Sequence, residues 1–399
     1  MFGRCFPNTL ETTVFLTQED CYLITGDIDA MWLRDSSAQV HPYVQFAAED
    51  ETLRRVIRGL IRRQARYINE DPYANAFNFE PNGRGHQSDL TRMSPLIWER
   101  KYEVDSLCYP IRLAYSYWRA THDTSIFDEQ WRSAAARILD TWRVEQDHTR
   151  SPYRFQRLNV RETDTLPRDG MGAPVAPTGM TWSGFRPSDD ACTYGYLIPS
   201  QMFAVVALAQ LEEIAHSVYR DVLLAAECQN LQFEIDRGIQ AHGIVEHPEF
   251  GEIFAYEVDG MDHANLMDDA NVPSLLSIPY IGYAQADDPV YLNTRRFVLS
   301  RHNPWYFEGR VASGVGSPHT GPGMVWHIAI IMQALTSTDD AEVRNCLELL
   351  KRTHAGTYLM HEAFDPNDPA RYTRPWFAWA NSLFAELILK VYAPALSPA

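Results

Sequence analysis

The apolar positions of the chain fall into six long stretches that are hydrophobic on nearly every side, the pattern of a buried helix. Polar segments rich in Asp, Pro or Gly precede these stretches, and helices with a single apolar face follow most of them. In 51–69, for example, the apolar residues share one side of the predicted helix. The predicted buried helices cover 36–48, 105–121, 192–214, 272–283, 324–337 and 376–391.

Five amphipathic helices are predicted between them, at 51–69, 128–145, 217–241, 288–300 and 338–354. This alternation indicates an all-α fold, the (α/α)6 barrel, in which the loops that enter the inner helices carry the functional residues. Because six inner helices but only five outer ones are predicted, we expect one N-terminal outer helix to be lacking. This helix would either precede Met1 or be absent from the fold. No shift in composition marks a boundary, so a single domain is expected over 1–399.

Composition narrows the possible partners of this 399-residue chain. The net charge of −17 argues against nucleic acid, whose phosphates it would repel. No apolar run is long enough to span a membrane, and the N-terminus lacks the apolar core of a secretory signal. Six scattered cysteines without a C-x-x-C pair indicate reduced thiols in a cytoplasmic protein.

Three polar stretches are candidates for one binding site. Residues 26–43 place several aspartates, an arginine, a tryptophan and a histidine at the start of an apolar segment. Residues 181–190 and 361–379 have a similar mixture of carboxylates, arginine and tryptophan. Carboxylates beside aromatic faces are typical of carbohydrate pockets, and glycoside hydrolysis requires two carboxyl groups. The three stretches therefore predict a sugar-binding pocket with a catalytic carboxyl pair.

Four motifs resemble glycoside hydrolase family 125, whose members are exo-acting α-1,6-mannosidases on an (α/α)6 barrel. The motifs are TGDIDAMWLRDS at 25–36, YEVDSLCY at 102–109, SGFRPSDDA at 183–191 and RPWFAWANSLF at 374–384. The resemblance extends over almost the whole chain, and the first and third motifs are long and specific. It implies hydrolysis of terminal α-1,6-linked mannose from oligosaccharides or N-glycan fragments, with net inversion.

The resemblance also implies an aspartate as general acid and a glutamate as general base. The first aspartate after Arg-Pro-Ser is Asp189, which is the expected acid; its neighbour Asp190 is the alternative. Glu362 is the expected base, and Glu386, within the last apolar helix, fits a pocket less well. From the residues alone, Asp189 is equally suited to capping a helix. An inverting pair lies about 6.5–9.5 Å apart, and burial or Asp190 is expected to raise the pKa of Asp189.

Polar and aromatic residues in or beside the motifs are the candidate substrate contacts. Arg34 and Asp35 are expected to bind vicinal sugar hydroxyls. The full set of candidates is Asp29, Trp32, Arg34, Asp35, His86, Arg186, Asp190, His263, His319, Arg374 and Trp376. His263 with Asp268 and Asp269 superficially suits a metal, but an inverting carboxyl pair needs none. No metal and no other cofactor are expected.

Three alternatives remain at this stage. Another (α/α)6 α-glycosidase, of the glucosidase or trehalase type, would use the same carboxylates. A helical-barrel terpenoid cyclase would use Asp-rich motifs. However, such a site requires an apolar cavity and lacks loops rich in Arg, His and Asn, which this chain has. A non-catalytic helical scaffold would not depend on either carboxyl group. The expected partner is a mannose-containing oligosaccharide, with neither nucleic acid nor membrane.

Overall fold

The computed structural model of the protein describes residues 1–392, and α-helices form its framework. Short 3-10 turns lie at His41–Phe46, His148–Arg150, Glu162–Asp164 and Pro318–Thr320, and a π-helical turn, Ala215–Tyr219, extends α7. The helices are α1 Phe2–Thr12, α2 Leu33–Val40, α3 Glu51–Glu70, α4 Val104–Thr121, α5 Glu129–Glu145, α6 Pro167–Gly170, α7 Ile198–Ile214, α8 Val222–His242, α9 Ile278–Ile281, α10 Pro289–Val298, α11 His327–Leu335, α12 Asp340–Thr353 and α13 Ala378–Tyr392.

Aspartate side chains begin the amphipathic helices. The carboxylate of Asp50 accepts hydrogen bonds from the backbone N–H groups of Thr52 and Leu53 at 2.8 and 3.1 Å, at the start of α3. Such bonds satisfy N–H groups that the first helical turn leaves unpaired. The other helices capped in this way are α5 by Asp128, α8 by Asp221, α10 by Asp288 and α12 by Asp339.

Most of the buried helices contact the next buried helix along the chain. Helix α2 packs against α4, α4 against α7, α7 against the short α9, α11 against α13, and α13 against α2. The amphipathic helices pack outside them, with α8 on α7, α12 on α11 and α1 on α13. The predicted contrast between buried and half-exposed helices is therefore confirmed.

Short antiparallel strands lie at the entrances of the buried helices. Met31–Trp32 leads directly into α2, Tyr196–Leu197 into α7 and Val325–Trp326 into α11. Each pairs with a strand from a later loop, which fixes that loop beside the helix entrance. The three-stranded sheets have the orders Met31–Trp32, Ala76–Phe77, Ile97–Glu99; Ala264–Asn265, Glu257–Val258, Tyr196–Leu197; and Val325–Trp326, Ala363–Asp365, Asp368–Tyr372. The two-stranded sheets pair Val14–Leu16 with Cys21–Leu23, Ile244–His247 with Gly251–Phe254, and Tyr306–Glu308 with Ser313–Val315.

The strands within residues 1–392 are two to five residues long. Ile244–His247 and Gly251–Phe254 form an antiparallel hairpin. In chain order the strands are β1 Val14–Leu16, β2 Cys21–Leu23, β3 Met31–Trp32, β4 Ala76–Phe77, β5 Ile97–Glu99, β6 Tyr196–Leu197, β7 Ile244–His247, β8 Gly251–Phe254, β9 Glu257–Val258, β10 Ala264–Asn265, β11 Tyr306–Glu308, β12 Ser313–Val315, β13 Val325–Trp326, β14 Ala363–Asp365 and β15 Asp368–Tyr372.

Helix α1 corrects one expectation, because a half-exposed helix does lie beside α13. The hydroxyl groups of Thr9 and Ser382 form a buried hydrogen bond of 2.8 Å between the two helices. The amide of Asn381 donates to the side-chain oxygen of Asn8 at 3.2 Å. Pro7, inside the helix, removes one backbone N–H and obscures the helical pattern in the sequence.

The segment 272–283 corrects a second expectation. It contains only the single turn α9 instead of the predicted buried helix. The carboxylate of Asp268 accepts the backbone N–H groups of Leu275 and Leu276 at 2.8 and 3.0 Å. These bonds hold a turn where a helix would use the same N–H groups itself. Asp105 lies in the first turn of α4, and no side chain caps this helix.

One continuous hydrophobic core extends from α1 to α13. All six cysteines are buried free thiols. Across residues 1–392, none of the helices combines the length and the apolar character needed to cross a membrane.

Replacing Gly59 in α3 tests how closely this helix packs against β2. A Cβ at Gly59 would lie 2.8 Å from the backbone nitrogen of Cys21, closer than real contacts allow. Gly59→Ala is therefore expected to lower the free energy of unfolding by about 1–3 kcal/mol, measured by urea denaturation. Gly3→Ala in α1 is the control, because a Cβ there meets nothing within 4 Å. A Gly59→Ala protein as stable as the wild type would contradict the described packing.

Candidate active site

A cavity of about 410 Å³ lies where the loops that enter the buried helices meet. This volume falls in the usual range for small-molecule sites, about 300–1,000 Å³. Its wall mixes charged and aromatic side chains, as a pocket for a hydroxyl-rich ligand requires. The charged ones are Arg34, Asp35, Glu99, Lys101, Arg157, Asp164, Asp189, Glu362 and Arg374, and the aromatic ones other than histidine are Trp32, Trp98, Trp326, Phe377 and Trp379.

Asp189 projects into the cavity from a tight turn. Its backbone has a φ of +65°, and its N–H donates to the carbonyl of Arg186 at 2.9 Å. The Oδ1 atom accepts from the amide of Asn75 at 3.0 Å and from Nη2 of Arg34 at 3.3 Å. Lys101 donates from Nζ to the Asp189 carbonyl at 2.7 Å. Arg34, Asn75 and Lys101 thus hold both the backbone and the carboxylate of Asp189.

Arg34 connects the acidic residues around Asp189. Its guanidinium is only 3% exposed and bonds to Glu103 as well as Asp189. Carboxylate oxygens of Asp35 and Asp105 lie 3.7 Å away. Burial alone would lower the pKa of Arg34, but these carboxylates raise it well above its usual value. Arg34 is therefore a permanent cation within an acidic cluster.

The expected rise in the pKa of Asp189 is not found. Burial raises the pKa of this carboxyl, but the Arg34 charge, a hydrogen bond with Glu103 and the Lys101 charge together lower it below its usual range. The pKa of Glu103 is raised well above its usual value, first by burial and then by Asp189. Arg34 and Asn75 donate hydrogen bonds to both Glu103 and Asp189, so the two carboxyl groups titrate as a pair.

Glu362 also lines the cavity and lies immediately before β14. Its Oε2 atom accepts from the hydroxyl of Thr373 at 2.9 Å, and Nη1 of Arg374 lies 3.9 Å from Oε1. The residue is 7% exposed. The preceding His361 is buried, and its N–H donates to Nδ1 of His327 at 2.9 Å. The strand pairing and these bonds fix the carboxylate at the cavity surface.

His319 and Asp190 form a second charged pair. Nδ1 of His319 lies 3.6 Å from Oδ1 of Asp190, which is fully buried. Burial would lower the pKa of His319, but contact with Asp190 and the charges of Glu362 and Asp189 raise it to about 9. His319 thus presents a protonated imidazole to the cavity at neutral pH.

The structure brings most of the predicted site residues together. Both expected catalytic carboxyl groups line the cavity. The predicted substrate contacts that line it as well are Trp32, Arg34, Asp35, His86, His319 and Arg374.

Five predicted contacts lie outside the cavity wall. Asp190 is behind His319, as described. Asp29 is about half exposed and forms an ion pair with Arg84. Trp376 lies under the loop at Asp27, whose N–H its carbonyl accepts at 3.2 Å. Phe377 and Trp379, which follow Trp376 in the sequence, line the cavity instead.

Arg186 and His263 support the loops instead of lining the cavity. Arg186 is buried and donates from Nε to Glu257 at 2.6 Å, which anchors the turn that carries Asp189. His263 is exposed and bonds to Asp259 at 2.7 Å. The rival base Glu386 is also remote from the cavity wall: its carboxylate contacts His41 and Tyr280.

Several cavity residues were missed by sequence reasoning because they lie in segments predicted only as loops. The sequence contains one indication of some of these residues: four charged residues lie within 99–103, directly before the predicted buried helix at 105–121. Two more come from the long 146–180 loop. The missed polar residues are Asn75, Glu99, Lys101, Arg157, Asp164 and Asn271, of which Asn75 supports the cavity and the others line it.

The suggested metal ligands do not come together. Asp268 is bonded to the backbone of the 272–283 segment, and burial raises its pKa to about 8. His263 is on the surface beside Asp259. Among residues 1–392, no group of three or more His, Cys, Asp or Glu side chains has an arrangement that would hold a metal ion.

Comparison with known proteins agrees with the geometry. Residues 1–389 match the family model of the metal-independent alpha-mannosidases, GH125. The meiotically up-regulated gene 157 protein of Schizosaccharomyces pombe is 43% identical over 420 residues, which cover 98% of this chain and 81% of that protein.

Solved structures give the same result. A metal-independent alpha-mannosidase of Streptococcus pneumoniae, in a non-productive complex with α-1,6-mannobiose, superposes with a TM-score of 0.96 at 49% identity; the match covers 98% of this chain and 92% of that one. A wild-type glycosidase shares the fold at 12% identity with a TM-score of 0.58, over 100% of this chain and 96% of that one. The chain belongs to glycoside hydrolase family 125, the metal-independent α-mannosidases, and is a glycoside hydrolase.

Proposed function

We propose that this enzyme removes terminal α-1,6-linked mannose from the non-reducing end of oligosaccharides, with inversion at the anomeric carbon. The observation that carries the proposal is that two carboxyl groups, Asp189 and Glu362, line one cavity from different segments of the chain. The α-1,6 linkage is supported by the disaccharide bound to the Streptococcus pneumoniae relative.

In this mechanism Asp189 protonates the glycosidic oxygen while Glu362 takes a proton from the attacking water. The bond between the anomeric carbon and that oxygen breaks, and its electron pair stays with the oxygen. Thr373 and Arg374 orient Glu362 for this task through the contacts described above. Neither step requires a metal ion or another cofactor.

The sugar is proposed to lie between Arg34, Asp35 and His319. Charged hydrogen bonds to hydroxyl groups are stronger than neutral ones, and the protonated His319 supplies one. Two long loops close the cavity: the 146–180 loop contributes Arg157, and the loop of 302–323 contributes His319. This closure around the terminal sugar favours exo action.

We also propose that the fold is an (α/α)6 barrel within one catalytic domain over 1–399. Six buried segments, α2, α4, α7, α9, α11 and α13, would form the inner ring. The half-exposed α1, α3, α5, α8, α10 and α12 would form the outer one. The continuous core and the contacts between successive buried helices support this arrangement.

The other predicted alternatives have less support. Membership in this family argues against the terpenoid cyclase and the non-catalytic scaffold. A related α-glucosidase or trehalase activity remains the second candidate, because the same carboxylates would serve it. The cytoplasmic location stays a proposal from the six free thiols, which are usual where disulfides are kept reduced.

Substrate choice tests the proposal. The purified enzyme is expected to hydrolyse α-1,6-mannobiose and to leave the corresponding α-1,6-linked glucose disaccharide intact, as measured by chromatography of released sugars. Glu362→Gln should lower kcat by about 10²–10⁴-fold, because the water loses its base. Preference for the glucose disaccharide would support the glucosidase alternative, and an active Glu362→Gln variant would exclude Glu362 as the base.

We expect the His319–Asp190 pair to determine the basic limb of the pH profile of kcat/KM. Because the pKa of His319 is raised, the charge is present at neutral pH and is lost as the pH rises through about 9. The stability that the pair contributes follows the same course. Asp190→Asn removes the main cause and should move the basic limb of kcat/KM at least about one unit lower. An unchanged limb would show that His319 does not govern it.

A further inference from the structure

Asn271 lines the cavity and is only 3% exposed, yet the proposed mechanism leaves it unused. Its side-chain amide donates from Nδ2 to Oδ1 of Asp269 at 3.0 Å, and its backbone N–H donates to the same oxygen at 3.1 Å. The side-chain oxygen of Asn271 accepts no hydrogen bond from residues 1–392, and it is not enclosed by them. One polar atom of the cavity wall is therefore left for a ligand.

Asp269 fixes which atom of this amide faces the cavity. The Asp269 side chain is fully buried, and its other carboxylate oxygen, Oδ2, accepts from the hydroxyl of Ser317 at 3.0 Å. Burial raises the pKa of Asp269, and the bonds from Asn271 counteract this shift because they stabilise the ionised form. A carboxylate only accepts hydrogen bonds, so the amino group of Asn271 must face it. Turning the amide around would place two oxygen atoms against each other.

The same carboxylate also positions His319. The Ser317 hydroxyl that donates to Asp269 accepts the backbone N–H of His319 at 3.2 Å, at the start of the 3-10 turn that carries this residue. His319 lines the cavity as Asn271 does. Asp269 therefore fixes a hydrogen-bond acceptor and an imidazole on the same cavity wall, although it does not line the cavity itself.

The acceptor character of the Asn271 oxygen limits what it can bind. An amide oxygen forms a hydrogen bond only with a group that carries a hydrogen. The ring oxygen and the glycosidic oxygen of a mannoside carry none, so a hydroxyl group or a water molecule fits. Arg34 and protonated His319, which are proposed to contact the sugar, can only donate. A hydroxyl group that they bind still needs an acceptor for its own hydrogen once it is buried.

We propose that Asn271 is a specificity-determining residue whose amide oxygen accepts a hydrogen bond from one hydroxyl group of the terminal mannose. Asp269 is the positioning residue that keeps the amide in this orientation. The inference rests on the proposed hydrolysis of mannosides and adds a requirement to it: the hydroxyl group that meets Asn271 must carry its hydrogen. A terminal mannose with fluorine, a methyl ether or a phosphate at that position is then a poor substrate.

Fluorine substitution tests the direction of this hydrogen bond, because fluorine replaces a hydroxyl group but has no hydrogen to donate. The substrates are dinitrophenyl α-mannoside and a series in which each hydroxyl group of the mannose is replaced in turn by fluorine. Asn271→Ala should lower kcat/KM on the unsubstituted mannoside about 10–100-fold. On one fluorinated substrate it should lower kcat/KM less than about 3-fold, because that substrate cannot form the bond with the wild type either.

Each ratio compares two enzymes on one substrate, so the effect of fluorine on the reactivity of the glycosidic bond cancels. An equal loss on the unsubstituted mannoside and on every fluorinated one would overturn the inference, since the amide oxygen would then bind water or only support its loop. An Asn271→Ala enzyme as active as the wild type would overturn it as well. A wild type that does not hydrolyse the unsubstituted mannoside would instead contradict the proposed function on which the inference rests.

Asp269→Asn tests the positioning role. The amide introduced there can donate as well as accept, so the Asn271 amide is no longer held in one orientation. The wild-type preference for the unsubstituted mannoside over the fluorinated one that identifies the contact should fall at least about 5-fold. A purely structural role would lower kcat/KM on both substrates by the same factor. An unchanged preference would therefore overturn the positioning role of Asp269.

Asp268→Asn is the matched control. Asp268 is the neighbouring carboxyl group and is equally buried, but it accepts from the backbone N–H groups of Leu275 and Leu276 instead of from Asn271. Its replacement should keep the preference within about 2-fold of the wild type, whatever the loss of activity. An equal loss of preference in both aspartate variants would show a general disturbance of the loop and would overturn the positioning role. The Asn271→Ala comparison does not depend on the folding of either variant.

Discussion

The buried charge of Arg34 joins the parts of the chain that form the active site. Its guanidinium, on α2, bonds to Glu103 before α4 and to Asp189 in the turn before α7. A buried cation requires paired carboxylates, and removing one partner of such a pair typically costs about 3–5 kcal/mol. The same contacts that offset the burial of Arg34 therefore hold Asp189, the proposed acid, in the cavity. Stability and catalytic geometry depend here on one side chain.

The helical framework was largely predictable because burial leaves a clear pattern. The amphipathic α3 agrees within one residue with its predicted range, and aspartate caps mark the helices that face water. Helix α1 was not predicted because Pro7 lies inside it. The segment 272–283 was wrongly predicted as a helix, because apolar composition alone does not distinguish a buried helix from a buried turn. There Asp268 takes the backbone N–H groups, a long-range choice that local pattern does not contain.

The site was predictable where resemblance and motif agreed, as for Asp189, Glu362 and Arg34. The pKa of Asp189 was not predictable, because it depends on the charged groups that the fold brings around this carboxyl. The expectation that Asp189 itself would have a raised pKa considered burial and Asp190, but not Glu103, Arg34 and Asn75 acting together. Conversely Asp29 and Trp376 belong to the right motifs but do not line the cavity. Which side chains of a motif line the cavity depends on loop geometry that the local sequence does not specify.

The stereochemistry of hydrolysis tests most directly whether Asp189 and Glu362 act on opposite sides of the sugar. Proton NMR of the anomeric region, recorded during the first turnovers on α-1,6-mannobiose, distinguishes the first-formed anomer before mutarotation. An inverting acid and base predict that β-mannose appears first and α-mannose follows slowly. If α-mannose appeared first, a carboxylate would have attacked the sugar directly, and the assignment of Glu362 as a base for water would be wrong.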